Sequence, residues 1–266
     1  MSYVSVSLPQ LLLSLGLMAM AIAISAQNGL GLERDLGLGT VRAAAQLFAV
    51  GLLLTLVFRN QHPATVFGVI VVMVAVGGWT AARRIAHGPG TGVLFRYATV
   101  AVLVAGVVVL VPVFAFVIRP PLWYEARLLI PISGMILSNA MNGVALVFER
   151  VFASIHDDAP GVEQLLSLGA TPKQAVQRHV RAAMNAALRP TINGLLTVGL
   201  VALPGMMTGQ IVSGTAPDQA VRYQLVIMYQ LVAVAAVAGA LAARFARRLS
   251  FSDREQLRTF ADRRVR

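Results

Sequence analysis

Long apolar runs broken by short polar breaks dominate the chain. Seven of them are long enough to cross a bilayer, given the roughly 20 apolar residues that a helix needs for about 30 Å of hydrocarbon. They lie at Leu8–Ala26, Thr40–Phe58, Ala64–Ala82, Tyr97–Ile118, Leu128–Phe148, Thr191–Val212 and Tyr223–Ala243. The expected fold is therefore all-α and polytopic, a single transmembrane domain over residues 1–266 with a basic tail at 244–266. Residues 1–7 carry no Lys or Arg, so the first run reads as a span and not as a signal peptide.

One stretch breaks the pattern. Between the fifth and sixth runs, within about residues 150–190, lies the only long polar segment flanked by spans, centred on Asp157–Arg189. Pro160 after Asp158 suits the start of a short helix, and Val162, Leu165 and Leu166 share one face of it. Gly169 suits a left-handed stop. Thr171-Pro172-Lys173-Gln174 then restarts the helix with the makings of a capping box. Two short helices around a hinge, placed between spans, read as a handle for another molecule: a coupling helix.

Composition agrees with the membrane reading. The chain is 57% hydrophobic and only 12% charged, with a mean hydropathy of +0.74; soluble domains carry about a quarter charged residues. A net charge of +11 could suggest nucleic acid, but its distribution is topological. With the N-terminus outside and the C-terminus in the cytoplasm, eighteen Lys and Arg fall on the cytoplasmic side and four outside. That orientation puts the two-helix segment in the cytoplasm, and nucleic acid is not expected as a partner. The tail's arginines and its Leu249, Phe251, Leu257 and Phe260 read as a helix end on anionic lipid headgroups, with contact to a cytoplasmic partner as the alternative.

Catalytic chemistry finds little support. There are no cysteines, and His62, His87, His156 and His179 lie outside the spans with no carboxylate at ligand spacing. No metal site is assigned. The only lysine is Lys173, so the chain has no G-x-x-x-x-G-K-[ST] loop. Any ATP and magnesium would bind another polypeptide, and the chain itself is not read as an enzyme. Gly29–Gly39 reads as a connector or elbow, with Glu33 as a cap or solvated residue.

Polar residues inside the apolar runs stand out because unpaired polar groups are costly in hydrocarbon. Met135, Asn139 and Asn142 share a face of the fifth run, where the asparagines either join helices or line a path. In the sixth, Pro204 should break the helix. Met206, Met207, Thr208 and Gln210 would then offer sulfur and oxygen along a transport path. The alternative is a packing kink with methionine as filler.

Glu163 followed six positions later by Gly169 resembles the opening of the EAA loop of ABC-transporter permeases, with Gln164 and Leu165 in place of its two alanines. The run Leu168–Gln224, with GLERDL and PISGMILSNAMNGVAL upstream, closely resembles the FetB family, permeases assigned to an iron-exporting ABC system. Plant relatives of that family act in aluminium tolerance and have been linked to UDP-glucose export. The resemblance implies a homodimeric permease in the inner membrane and a separate FetA-like ATPase. It places Val162, Glu163, Leu165, Leu166, Gly169, Ala170 and Thr171 at the ATPase contact. Iron or a related metal is the expected cargo; a nucleotide sugar is the alternative, and an ion-driven secondary transporter is a reading of another class.

Overall fold

A computed structural model describes residues 7–60, 62–258 and 260. The chain falls into two compact units, residues 1–62 and 63–266.

The first unit is a hairpin of α1 (Leu8–Gln27) and α2 (Glu33–Arg59). The Gln10 side chain accepts the Ser7 backbone N–H at 2.8 Å, which satisfies a donor at the start of α1. The turn is held by Ser25, whose hydroxyl donates to Glu33 at 2.8 Å and accepts the Leu32 N–H at 3.2 Å. Glu33, the first residue of α2, is thus tied to the end of α1, and Leu32 is the N-cap residue. The connector expected over Gly29–Gly39 is shorter, because residues 33–39 already belong to α2.

The second unit contains α3 (Pro63–Arg83), α4 (Thr91–Pro112), a π-helical turn (Val113–Ile118), α5 (Ala126–Asp157) and α6 (Ala159–Ser167). After these come α7 (Pro172–Ala175), α8 (Gln177–Thr197), α9 (Gly205–Val212) and α10 (Pro217–Ser250). Its core lies where α5 meets α10. Asn139 reaches Leu231, Gly143 faces the Ala235 carbonyl, and Val147 faces Gly239, each pair 92 residues apart. A constant offset means that α5 and α10 run parallel. The chain between them must therefore travel back along the bundle, which it does through α8 and α9.

Small residues permit the close approach: Ala140 and Gly143 on α5, and Ala235, Ala238, Gly239 and Ala242 on α10, are all buried. Gly134 meets Met73 and Gly77 meets Met141, so α3 is also parallel to α5. Trp79 against Phe95 and Gly78 against Thr99 make α4 antiparallel to α3.

Six helices among the described residues are long and apolar enough to span a membrane. The difference from the expected seven lies at Thr191–Val212, which is not one helix. α8 ends at Thr197, residues 198–204 form a turn, and α9 follows. Val198 is extended and Gly199 adopts φ +81°. Pro204, the residue expected to break the helix, instead precedes α9 as its extended N-cap residue. Because a residue before proline avoids the helical region, the break falls upstream of the ring.

The tail also differs from expectation. Its first residues extend α10 to Ser250, and Leu249 and Phe251 are buried. Phe260 packs edge-on against Phe152 at 6.0 Å. The apolar tail residues thus cover the molecule's own core instead of lying on headgroups. Thr259 and residues 261–266 lie outside the described residues.

Candidate functional site

The handle forms as the local sequence dictates. Thr171 accepts the Gln174 N–H at 3.4 Å and its own N–H donates to the Gln174 side chain at 2.9 Å, a complete capping box. Gly169 has φ +89°, the left-handed stop that glycine takes without steric cost. The Ala170 N–H then closes on the Leu165 carbonyl at 3.0 Å.

Two faces of α6 differ sharply. Val162 is fully buried and cannot be contacted from outside, and the half-buried Leu166 packs on the core, so both anchor the handle. Glu163, Leu165, Gly169 and Thr171 are exposed, with Ala170 half-buried. Leu168, which was not singled out from sequence, is 77% exposed at the tip. An apolar side chain standing free in a polar segment was the available signal.

A polar clamp ties the handle to α8. Asp158, where α5 gives way to α6, accepts a hydrogen bond from Arg178, and its Oδ2 lies 3.1 Å from Nε2 of buried His179. The Arg178 bond holds the Asp158 carboxyl below its ordinary range, against the opposing effect of desolvation. His179 is also held low, chiefly by burial and secondly by the Arg178 charge, while Asp158 pulls it upward. Arg178 Nε donates to His179 Nε2 at 3.3 Å, an arrangement that suits the neutral ring. Sequence spacing hid this pairing, since 158 and 179 meet only once the handle folds back.

The face expected along α5 is present and open. Asn139 donates to the Leu231 carbonyl at 2.7 Å, and Asn142 accepts from Arg84 Nη1 at 2.8 Å. Both asparagines therefore join helices. Even so, Ser138 and Asn142 are exposed and Met135 and Asn139 half-buried, on a helix whose other faces are deep in the core. In the α9 segment the Thr208 hydroxyl is spent on the Pro204 and Gly205 carbonyls, at 3.3 and 3.0 Å. Met206 packs against the core and Met207 is half-buried, while Gln210 Oε1 is buried without a partner.

Two further amides escaped the sequence reading. Gln224 and Gln230 on α10 are 6% and 2% exposed. Gln224 Oε1 and both amide atoms of Gln230 have no hydrogen-bond partner in the structure. A glutamine at core spacing in an apolar helix could have flagged them.

Comparison with known proteins places these features in a family. Residues 8–251 match the uncharacterised protein family UPF0014. The chain is 36% identical over 239 residues to the UPF0014 membrane protein YjkA of Bacillus subtilis, covering 89% of this chain and 90% of that one. It is 33% identical over 248 residues to the Probable iron export permease protein FetB of Escherichia coli, covering 93% of each. It is also 35% identical over 223 residues to the UPF0014 membrane protein STAR2 of rice, covering 84% of this chain and 76% of that one. No solved structure matches it. With six apolar helices of spanning length and relatives named as membrane proteins, this multi-pass chain belongs to the UPF0014 family, which includes FetB.

Proposed function

We propose that the chain is the membrane-spanning subunit of an inner-membrane ABC transporter that exports iron or a related metal ion. A separate ATPase, which binds ATP and magnesium, engages the α6–α7 handle, and two copies of the chain enclose the passage. The observation that carries this reading is the handle itself. It is a capped, clamped protrusion whose outer face holds Glu163 and Leu168 while its inner face is locked into the core. Such a part transmits force because it cannot yield locally.

The open face of α5 supports the passage. Polar groups turned to lipid are costly, so Ser138 and Asn142 call for a second copy or for water. The return of the chain through α8 and α9 supplies a seventh, broken crossing, with the handle on the cytoplasmic side. Broken helices at membrane depth are tolerated where they line a cavity or are buried in protein. The unpartnered amide oxygens of Gln210, Gln224 and Gln230 suit brief contact with a cation, and no protein carboxylate is needed for its release. The cargo follows the name carried by the FetB relative.

The test is ATP-driven uptake into inside-out vesicles containing this chain and its ATPase, comparing ferrous, manganous and zinc ions with UDP-glucose. Uptake of ferrous ion that requires ATP is expected. Uptake of the sugar alone, or of ions without ATP, would overturn the reading.

A further inference from the structure

A groove of about 690 Å³ opens between α3, α4 and α5, beside the π-helical turn and the loop that leads into α5. Its walls are almost wholly apolar, among them Val71, Val107 and Val111, each more than half in contact with the surroundings or close to it at 66%, 50% and 59% exposed. The Phe67 and Trp123 rings meet at 5.5 Å along one side. Two polar groups interrupt this lining. Arg119 is exposed and sits on a left-handed backbone at φ 46° where the π-helical turn ends. Ser133 is fully buried, and its Oγ has no hydrogen-bond partner.

Among the described residues, Ser133 and Thr99 are the two with a buried hydroxyl that lacks a partner, and of these Ser133 lines the groove. A helical serine or threonine commonly donates to a carbonyl one turn back, as Thr40 and Thr55 do at 2.8 and 2.9 Å. Ser133 makes no such bond, although it lines the groove. A buried hydroxyl without a partner is costly, and a ligand in the groove would relieve it.

We propose that this groove holds an acyl chain of an anionic phospholipid, with the phosphate on Arg119 and the Ser133 hydroxyl donating to an ester carbonyl. The apolar walls match the chain, the arginine matches the phosphate, and Trp123 is the kind of aromatic residue that sits at headgroup level. A helix from a second copy fits poorly. At about 10 Å in diameter it would fill roughly 80 Å³ per ångström of length, so the groove would take less than about two turns. The proposal does not depend on the transport reading.

The test uses the purified full chain in neutral detergent, following thermal unfolding and bound lipid by native mass spectrometry. Phosphatidylglycerol should raise the melting temperature by about 5 °C, phosphatidylcholine with the same chains by less than half as much, and inorganic phosphate not at all. Arg119→Gln should reduce the phosphatidylglycerol shift to the phosphatidylcholine level, and Arg119→Lys should keep most of it. Val107→Trp, which fills the groove from its exposed wall, should abolish both shifts and the bound-lipid mass. An undiminished phosphatidylglycerol shift in Arg119→Gln, or an equal effect of free phosphate, overturns the proposal. So does a Val107→Trp chain that retains its lipid but loses a dimer mass, since the occupant would then be a second copy. Should one variant fail to fold, Ser133→Ala gives the same decision: a weakened shift supports the site and an unchanged one refutes it.

Discussion

His179 places its Nε2 atom 3.1 Å from Oδ2 of Asp158, and Arg178 donates to both, joining the helix after the handle to the residue before it. Both groups sit below their ordinary values, so each resists taking a proton in the folded state. His179 therefore contributes fully above its unfolded value near about 6.5 and loses that contribution as the pH falls through its lowered folded value. Asp158 follows the same sign one range lower, present above about pH 4 and lost below as its folded value is crossed. Hydrogen exchange of residues 159–180, corrected for intrinsic rate, should be steady from pH 8 to 7 and accelerate as the pH drops below about 6.5. His179→Gln should remove that acceleration. A flat profile in the unaltered protein would mean that the clamp does not hold the handle.

Packing of α3 on α4 depends on a missing side chain. A Cβ at Gly78 would fall 2.0 Å from Thr99 Oγ1 and 2.8 Å from Thr99 Cα. The backbone atom cannot swing away as a side-chain tip can. Gly78→Ala should cost about 1–3 kcal/mol, read as a lower apparent melting temperature, with only partial rescue by Thr99→Ala. Gly68→Ala on the same helix meets nothing within 4 Å and should be tolerated.

Gln230 offers an experiment with opposite signs. A buried amide lacking partners costs stability, so Gln230→Leu should raise the melting temperature, by about 1 kcal/mol equivalent. If the amide meets the cargo during transport, the same change should lower ATP-driven ferrous ion uptake severalfold. Higher stability with unchanged uptake would reduce Gln230 to an unsatisfied packing residue and remove it from the passage.

Local rules made much of this legible in advance. The stop at Gly169 and the Thr171–Gln174 capping box follow from residue type at fixed spacing, and the structure contains both. The long spans follow from apolar length. Contacts between distant elements were not legible. Val162 and Leu166 belong to the same apolar stripe as Leu165, and only the packing of α6 shows that the first two face inward. Proline marks a breaking tendency without fixing its location, which is why the turn begins at Val198 and ends at Pro204. The hinge at Gly169 was legible, but the pairing of Asp158 with Arg178 and His179 depends on how far it returns the chain on itself, which no pattern along the sequence encodes.

Whether the handle is gripped by a motor can be measured directly. The chain is purified with its ATPase, and assembly and ATP hydrolysis are followed for the unaltered protein, Glu163→Arg, Leu168→Asp and Gly169→Pro. Each substitution changes the outward surface or the hinge and leaves Val162 and Leu166 in the core. Loss of co-purification, or at least a fivefold loss of cargo-stimulated hydrolysis with the ATPase's own basal rate intact, is the expected result. Normal assembly and normal stimulated hydrolysis in all three variants would show that no ATPase acts through α6 and α7.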